Sequence, residues 1–151
     1  MTLSPILLPD LATAEKADQR LAPLLSAGDL LALQGPLGAG KTAFARFLLR
    51  ALGIHEDVPS PTFTLMQIYE TPRFPVYHFD LYRLASETEL IELGWEDALG
   101  TGLVIVEWPE RAAGQLPRDR LTLNFAFGDK DTRLLTITPQ GNWVERIKDF
   151  A

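Results

Sequence analysis

The octapeptide Gly-Pro-Leu-Gly-Ala-Gly-Lys-Thr at residues 35–42 constrains the fold of this chain more than any other segment. It matches the pattern G-x-x-x-x-G-K-[ST], and it follows the apolar run of residues 30–33, which is typical of a buried strand. Between a strand and a helix, such a loop turns successive backbone N–H groups toward an anion. The sequence therefore predicts a strand–loop–helix unit that binds the phosphate groups of a nucleotide.

Each residue type in this segment has a chemical reason to be there. The glycines allow the backbone to approach a phosphate closely. Lys41 neutralises the β- and γ-phosphate oxygens, and the Thr42 hydroxyl is a ligand for Mg²⁺. The candidate nucleotide-binding residues of this segment are Gly35, Gly38, Ala39, Gly40, Lys41, Thr42 and Ala43.

Composition and charge exclude several classes of function for this chain. The 151 residues suit a single domain covering residues 1–151, and the absence of cysteine excludes disulfides, cysteine zinc sites and a thiol nucleophile. A formal charge of -6 argues against direct, sequence-specific binding to DNA, so we expect contact with RNA to run through a partner. No apolar run reaches the roughly 18 residues of a membrane span, and the N-terminus lacks the features of a signal peptide. We therefore expect a cytoplasmic protein without membrane contact.

The hydrophobic pattern predicts alternating helices and strands. We expect helices over residues 10–25, 42–52, 86–94 and 143–150, and strands over residues 29–34, 64–69, 76–80, 103–106, 121–127 and 133–138. A phosphate loop after the first of these strands, with later antiparallel strands, indicates an α/β fold. We predict a doubly wound mixed sheet of the P-loop NTPase type, with three α/β/α layers.

Two acidic residues stand at the ends of predicted strands. Glu107 follows a wholly apolar run and is a candidate for ordering the metal, although a strand-end carboxylate can also simply face solvent. Asp80 is a candidate for ordering the attacking water or a metal-bound water. A helix N-cap or a partner for Arg83 is the structural alternative for Asp80. His78 fits a packed, hydrogen-bonded histidine better than a metal ligand.

A proline-stiffened loop lies about 20 residues after the phosphate loop and contains Ser60, Pro61 and Thr62. Such a loop can act as a nucleotide switch by offering a hydroxyl or a backbone group to the γ-phosphate or its Mg²⁺. A plain turn would have the same composition. The guanine motif N-K-x-D is absent from the sequence, which favours adenine as the base.

Four segments together resemble the TsaE family, also known as YjeE. They are the phosphate loop at residues 35–42, Ser-Pro-Thr-Phe-Thr-Leu at 60–65, His-Phe-Asp-Leu-Tyr-Arg-Leu at 78–84, and Val-Glu-Trp-Pro-Glu at 106–110. The resemblance runs from about Leu8 to about Arg133. The phosphate loop alone would not select a family, whereas the four segments in this order and spacing are highly specific.

The resemblance implies an ATPase that is weak alone, binds ATP and Mg²⁺, and associates with the TsaD–TsaB complex. That complex transfers a threonylcarbamoyl group to the adenosine 3′ of the tRNA anticodon, so contact with tRNA would be indirect. Lys41, Asp80 and Glu107 would be catalytic, and Thr42 and Glu107 would hold the metal. Leu11 or Thr13 near the N-terminus and Arg133 near the late strands fall where the family contacts adenine and phosphate, and residues 60–62 fall in its switch region.

Two other functions remain compatible with the sequence. A phosphate loop also serves small-molecule and nucleotide kinases, although this chain has no arginine-rich lid and little length for an acceptor pocket. A binding module that holds ATP without hydrolysing it is the third hypothesis.

Overall fold

The computed structural model describes residues 2–56 and 64–150, which form one seven-stranded sheet with helices on both faces. The strands are β1 (Ile6–Leu8), β2 (Leu30–Gln34), β3 (Met66–Glu70), β4 (Pro75–Asp80), β5 (Leu103–Glu107), β6 (Arg120–Phe127) and β7 (Arg133–Gln140). The α-helices are α1 (Leu11–Leu21), α2 (Lys41–Ala51), α3 (Glu87–Glu92), α4 (Trp95–Thr101) and α5 (Trp143–Arg146). Short 3₁₀ helices cover Ala22–Leu24, Pro109–Gln115 and Ile147–Phe150.

The sheet is mixed, with the strand order β1-β7-β6-β2-β5-β4-β3. Strand β2 pairs in parallel with both β5 and β6, and β4 pairs in parallel with β5. The outer pairs β3·β4, β6·β7 and β1·β7 are antiparallel. Strands β2 and β5 are apolar along most of their length because helices cover both faces of the central sheet.

Alternating side chains along the central strands pack into two separate apolar cores. Leu31 and Leu33 point to a core that includes α1, α2 and the C-terminal segment, whereas Leu30 and Ala32 point to a core that includes α3 and α4. Successive side chains of a strand point to opposite faces, so these two cores lie on opposite sides of the sheet. The three-layer α/β/α architecture predicted from the sequence is therefore confirmed.

The parallel strands place their carboxyl ends along one edge of the sheet. Strand β2 runs directly into the phosphate loop, β4 ends at Asp80 and β5 ends at Glu107. The register sets Asp80 directly opposite Glu107. Ligands of open α/β sheets bind at this edge, so the fold itself gathers the candidate residues.

The structure corrects several predicted boundaries. The helix expected over residues 10–25 ends at Leu21 and continues as a 3₁₀ turn containing Pro23, because proline removes a backbone donor. Strand β1, helix α4 and the 3₁₀ helix Pro109–Gln115 were not predicted. The predicted C-terminal helix is α-helical only over Trp143–Arg146. No helix in the described ranges is long and apolar enough to cross a membrane.

Candidate functional site

The phosphate loop connects the end of β2 to the start of α2. Gly40 occupies the N-cap position of α2 with φ 106°, and no side chain caps this helix. The first backbone N–H groups of the helix therefore lack a side-chain acceptor, which leaves them suited to an anion. Gly35 has a different requirement, because a Cβ atom at this position would collide with the backbone carbonyl oxygen of Phe125 on β6.

Lys41 is the cation of the site, and it is 4% exposed. Its Nζ atom donates a hydrogen bond to the carbonyl oxygen of Gly35 and lies 3.5 Å from the ring centroid of Trp108. Burial lowers the pKa of Lys41, and the negative charges of Glu107, Glu110 and Asp80 oppose that shift. An anionic phosphate beside Nζ would oppose it in the same way, because it favours the charged ammonium.

Thr42 and Glu107 form an oxygen pair at the start of α2. The Thr42 hydroxyl donates to Oε1 of Glu107 over 2.8 Å, and Oε2 of Glu107 lies 2.7 Å from Nε2 of His78. Glu107 is only 2% exposed, so it does not face solvent. A hydroxyl and a carboxylate oxygen are ligands that Mg²⁺ prefers, and Mg²⁺ usually takes few protein ligands together with substrate phosphates. These residues therefore fit a nucleotide-bound magnesium ion.

Asp80 lines a cavity together with Lys41, Thr42 and Glu107. Its Oδ1 accepts a hydrogen bond from the backbone N–H of Tyr82 over 3.0 Å, and its side chain is almost fully buried. The cavity has a volume of about 250 Å³ and is lined by Leu37, Gly38, Gly40, Lys41, Thr42, Ala43, Asp80, Glu107 and Trp108. Asp80 does not cap a regular helix, since Ser86 occupies the N-cap of α3.

A second cavity adjoins the phosphate loop and shares Gly38, Gly40 and Ala43 with the first. It has a volume of about 320 Å³ and is lined by Leu8, Pro9, Asp10, Leu11, Gly38, Gly40, Ala43, Asp131 and Arg133. Arg133 donates from Nη2 to the carbonyl oxygen of Gly38 over 3.3 Å. The pairing of β1 with β7 places Leu8 opposite Arg133, which brings the N-terminal segment to the loop.

The predicted residues outside the phosphate loop and the two strand ends fall into three groups. Leu11 and Arg133 line the second cavity together with Gly38, Gly40 and Ala43 of the phosphate-loop segment. Thr13 does not line that cavity, because its backbone N–H and its hydroxyl both donate to Oδ1 of Asp10 at the start of α1. Ser60, Pro61 and Thr62 lie outside the described residues.

The sequence did not predict that the aromatic rings of Trp108 and Tyr82 lie at the site. Trp108 follows Glu107 directly, and its φ of 59° turns its ring over the ammonium of Lys41. The ring of Tyr82 lies 5.0 Å from that of Trp108, measured between centroids. The position of Trp108 beside a strand-end acid was the available signal, but only the backbone turn shows where its ring goes.

The described residues contain no group of three or more His, Cys, Asp or Glu side chains arranged to hold a metal ion. His78 agrees with the sequence interpretation, because it is a fully buried histidine hydrogen-bonded to Glu107. Its link to Glu107 was not foreseen.

Comparison with known proteins gives one family. The model described as threonylcarbamoyl adenosine biosynthesis protein TsaE matches residues 8–135. The tRNA threonylcarbamoyladenosine biosynthesis protein TsaE of Rickettsia typhi is 40% identical over 129 residues, covering 82% of this chain and 90% of the relative. The protein of the same name from Bacillus subtilis is 40% identical over 121 residues, covering 80% of this chain and 75% of the relative.

A solved structure has the same fold over almost the whole chain. The crystal structure of Bacillus subtilis YdiB superposes with a TM-score of 0.83 and 29% sequence identity. The match covers 99% of this chain and 94% of YdiB, so the resemblance extends over the whole sheet and its helices.

Proposed function

This chain belongs to the TsaE family of threonylcarbamoyl adenosine biosynthesis proteins, and from that membership we propose that it is a magnesium-dependent ATPase supporting the threonylcarbamoyladenosine modification of tRNA. The family acts in tRNA modification. ATP, Mg²⁺ and hydrolysis are our proposal.

One observation carries the nucleotide part of the proposal. The phosphate loop, a buried lysine and a hydroxyl–carboxylate pair converge on a single cavity at the carboxyl edge of the sheet. The uncapped start of α2 adds backbone N–H groups and the positive end of the helix dipole to the same place. This set of groups is complementary to the terminal phosphates of a nucleoside triphosphate.

Each residue has a separate task in the proposed reaction. Lys41 neutralises the β- and γ-phosphate oxygens, and Thr42 and Glu107 hold the metal. Mg²⁺, when bound, would offset the charge that develops on the phosphates. Asp80 faces the cavity from the neighbouring strand and orients the attacking water, with its carboxylate accepting a proton or a hydrogen bond from it.

The cavity containing Leu11 and Arg133 adjoins the phosphate loop, and we assign it to adenine and the sugar–phosphate portion of ATP. An apolar side chain suits the face of the base, and a guanidinium suits an anionic oxygen.

We propose that the protein acts through the TsaD–TsaB complex and contacts tRNA only through it. The formal charge of -6 supports an indirect role, because proteins that bind nucleic acid alone usually present a basic surface. Modification of tRNA also favours the cytoplasm as its compartment.

The proposal is tested first by calorimetric titration with Mg-ATP and Mg-ADP. Wild-type protein should bind both, and Lys41→Ala should lose binding because the phosphate cation is gone. Asp80→Asn keeps the shape of the side chain, so it should retain binding and lose turnover. The absence of heat with either nucleotide would refute nucleotide binding, and equal loss of binding in both variants would remove Asp80 from catalysis.

Reconstitution with TsaD–TsaB then tests the activity itself. Phosphate release and modified tRNA should both depend on this chain and on Lys41. A phosphorylated small-molecule product would instead identify a kinase. ATP binding without hydrolysis, even with the partners present, would identify a binding module.

A further inference from the structure

His78 is a buried histidine outside the set of residues assigned above. It lies on β4, two residues before Asp80, and it is fully buried. Its Nε2 atom lies 2.7 Å from Oε2 of Glu107. We propose that His78 is a positioning residue, which fixes the Glu107 carboxylate for magnesium. This role rests on the proposed nucleotide function.

The hydrogen bond divides the two oxygens of Glu107 between two partners. Oε2 accepts from His78, and Oε1 accepts from the hydroxyl of Thr42. With Oε2 satisfied by the imidazole, the carboxylate keeps one orientation, in which Oε1 faces the start of α2. Carboxylates that bind metals are commonly fixed in this way by hydrogen bonds from neighbouring groups.

The hydrogen bond between His78 and Glu107 indicates which ring nitrogen of His78 carries a proton. In the proposed role Glu107 holds the metal as a carboxylate, which only accepts hydrogen bonds, so Nε2 of His78 would carry the hydrogen. Nδ1 is buried and has no hydrogen-bond partner among the described residues. A buried N–H without an acceptor is costly, which favours Nε2 as the protonated nitrogen and leaves Nδ1 as the unpaired acceptor.

The sheet register explains why this residue reaches Glu107. In the parallel pair of β4 and β5, His78 stands opposite Ile105 and Asp80 stands opposite Glu107. His78 and Asp80 share a face of β4 because side chains alternate along a strand. The imidazole therefore extends diagonally across the pair to the strand-end carboxylate.

Space filling alone does not account for His78. An apolar side chain would fill the same volume, but it would leave Oε2 of Glu107 without this donor in a position that is 2% exposed. A buried acceptor that loses its partner bears the full desolvation penalty. We therefore infer that His78 matters for its N–H donor rather than for its volume. Variants that keep or remove a donor at this position can test this.

A matched pair of variants distinguishes the effect of the hydrogen-bond donor of His78 from the effect of its side-chain volume. His78→Gln places an amide N–H at a similar reach, whereas His78→Met has a similar length and no donor. Mg²⁺ is titrated into each protein saturated with ADP, and Mn²⁺ binding is followed by electron paramagnetic resonance. Nucleotide affinity in excess chelator is the control, because His78 does not line the cavity of the phosphate loop.

We expect His78→Met to weaken metal binding by about 10- to 100-fold, the usual effect of removing a group that orients a metal ligand. His78→Gln should stay within a few-fold of wild type. All three proteins should bind ADP equally in chelator. Metal affinity of His78→Met equal to wild type, or a loss in His78→Gln as large as in His78→Met, would overturn the role.

A measurement on the unmodified chain guards against misfolding of the variants. The sequence contains two histidines, His55 and His78, so ¹⁵N resonances of the two imidazoles are readily assigned with a His55→Gln protein. We expect Nε2 of His78 to carry a proton, and an unprotonated Nε2 would overturn the proposal. Wild-type protein that binds no nucleotide would refute the proposed function itself, and it would remove this role at the same step.

Discussion

Asp18 in α1 gives a prediction about stability that can be worked out from burial alone. Its side chain is 0% exposed, and neither carboxylate oxygen has a hydrogen-bond partner among the described residues. Burial, with a smaller contribution from the charge of Glu15, raises the pKa of Asp18 from 3.8 to about 10. The folded protein therefore holds a neutral Asp18 at physiological pH, whereas the unfolded chain holds an ionised one.

The sign of the pH dependence follows from this difference. Between pH 3.8 and about 10 the folded state binds one proton more than the unfolded state at this residue. The contribution of Asp18 to the free energy of unfolding consequently falls as pH rises, by about 1.4 kcal/mol per pH unit. Between pH 6 and pH 8 the Asp18 contribution amounts to a loss of roughly 2.7 kcal/mol, and the loss vanishes below pH 3.8.

Asp18→Asn removes this proton while keeping the shape of the side chain. The new amide lacks partners too, which costs about 1–3 kcal/mol, but that cost does not depend on pH. Urea unfolding at pH 6, 7 and 8 measures the slope for each protein. Asp97→Asn, at an exposed position on α4, is the matched control. We expect the slope of Asp18→Asn to be less negative than that of wild type, and the slope of Asp97→Asn to equal that of wild type. Parallel curves for wild type and Asp18→Asn would refute the reasoning.

Two further substitutions test the phosphate loop and its second cavity. Gly35→Ala should lower the free energy of unfolding more than Gly28→Ala in urea titrations, because both glycines have positive φ but only Gly35 meets a backbone carbonyl; equal losses would contradict the steric argument. Arg133→Ala should weaken ATP binding about 10-fold in calorimetry, as expected when a charged hydrogen-bond donor is lost. The exposed Lys130→Ala should leave it unchanged, and equal effects would contradict a specific contact by Arg133.

The strands that lead into the phosphate loop and Glu107 were predictable from the sequence. The apolar runs of β2 and β5 are continuous because these strands are buried on both faces, and each is followed by a chemically distinctive segment. Helix α4 was missed because it has seven residues and is separated from α3 by only two. Strand β1 has three residues, too few for an alternating pattern to be recognised.

Contacts across the sheet required the strand order. The pairing of β4 with β5 brings His78 to Glu107, and the pairing of β1 with β7 brings Leu8 and Arg133 together. No local pattern contains this information, because hydrophobic alternation fixes which face a residue occupies and not which strand lies beside it. Thr13 was a candidate for the adenine site from the resemblance, whereas its hydrogen bonds to Asp10 hold it at the start of α1.

In the proposed function, the charges around Lys41 make the binding of Mg²⁺ and the binding of ATP depend on each other. Asp80, Glu107 and Glu110 act on this lysine, so one ammonium stands among three carboxylates. Triphosphate would add further negative charge to the same cavity, and the lysine with the backbone N–H groups would have to offset it. A divalent cation held by Thr42 and Glu107 would offset that repulsion. Mg²⁺ and ATP should then each tighten the binding of the other by the same factor, as linkage requires.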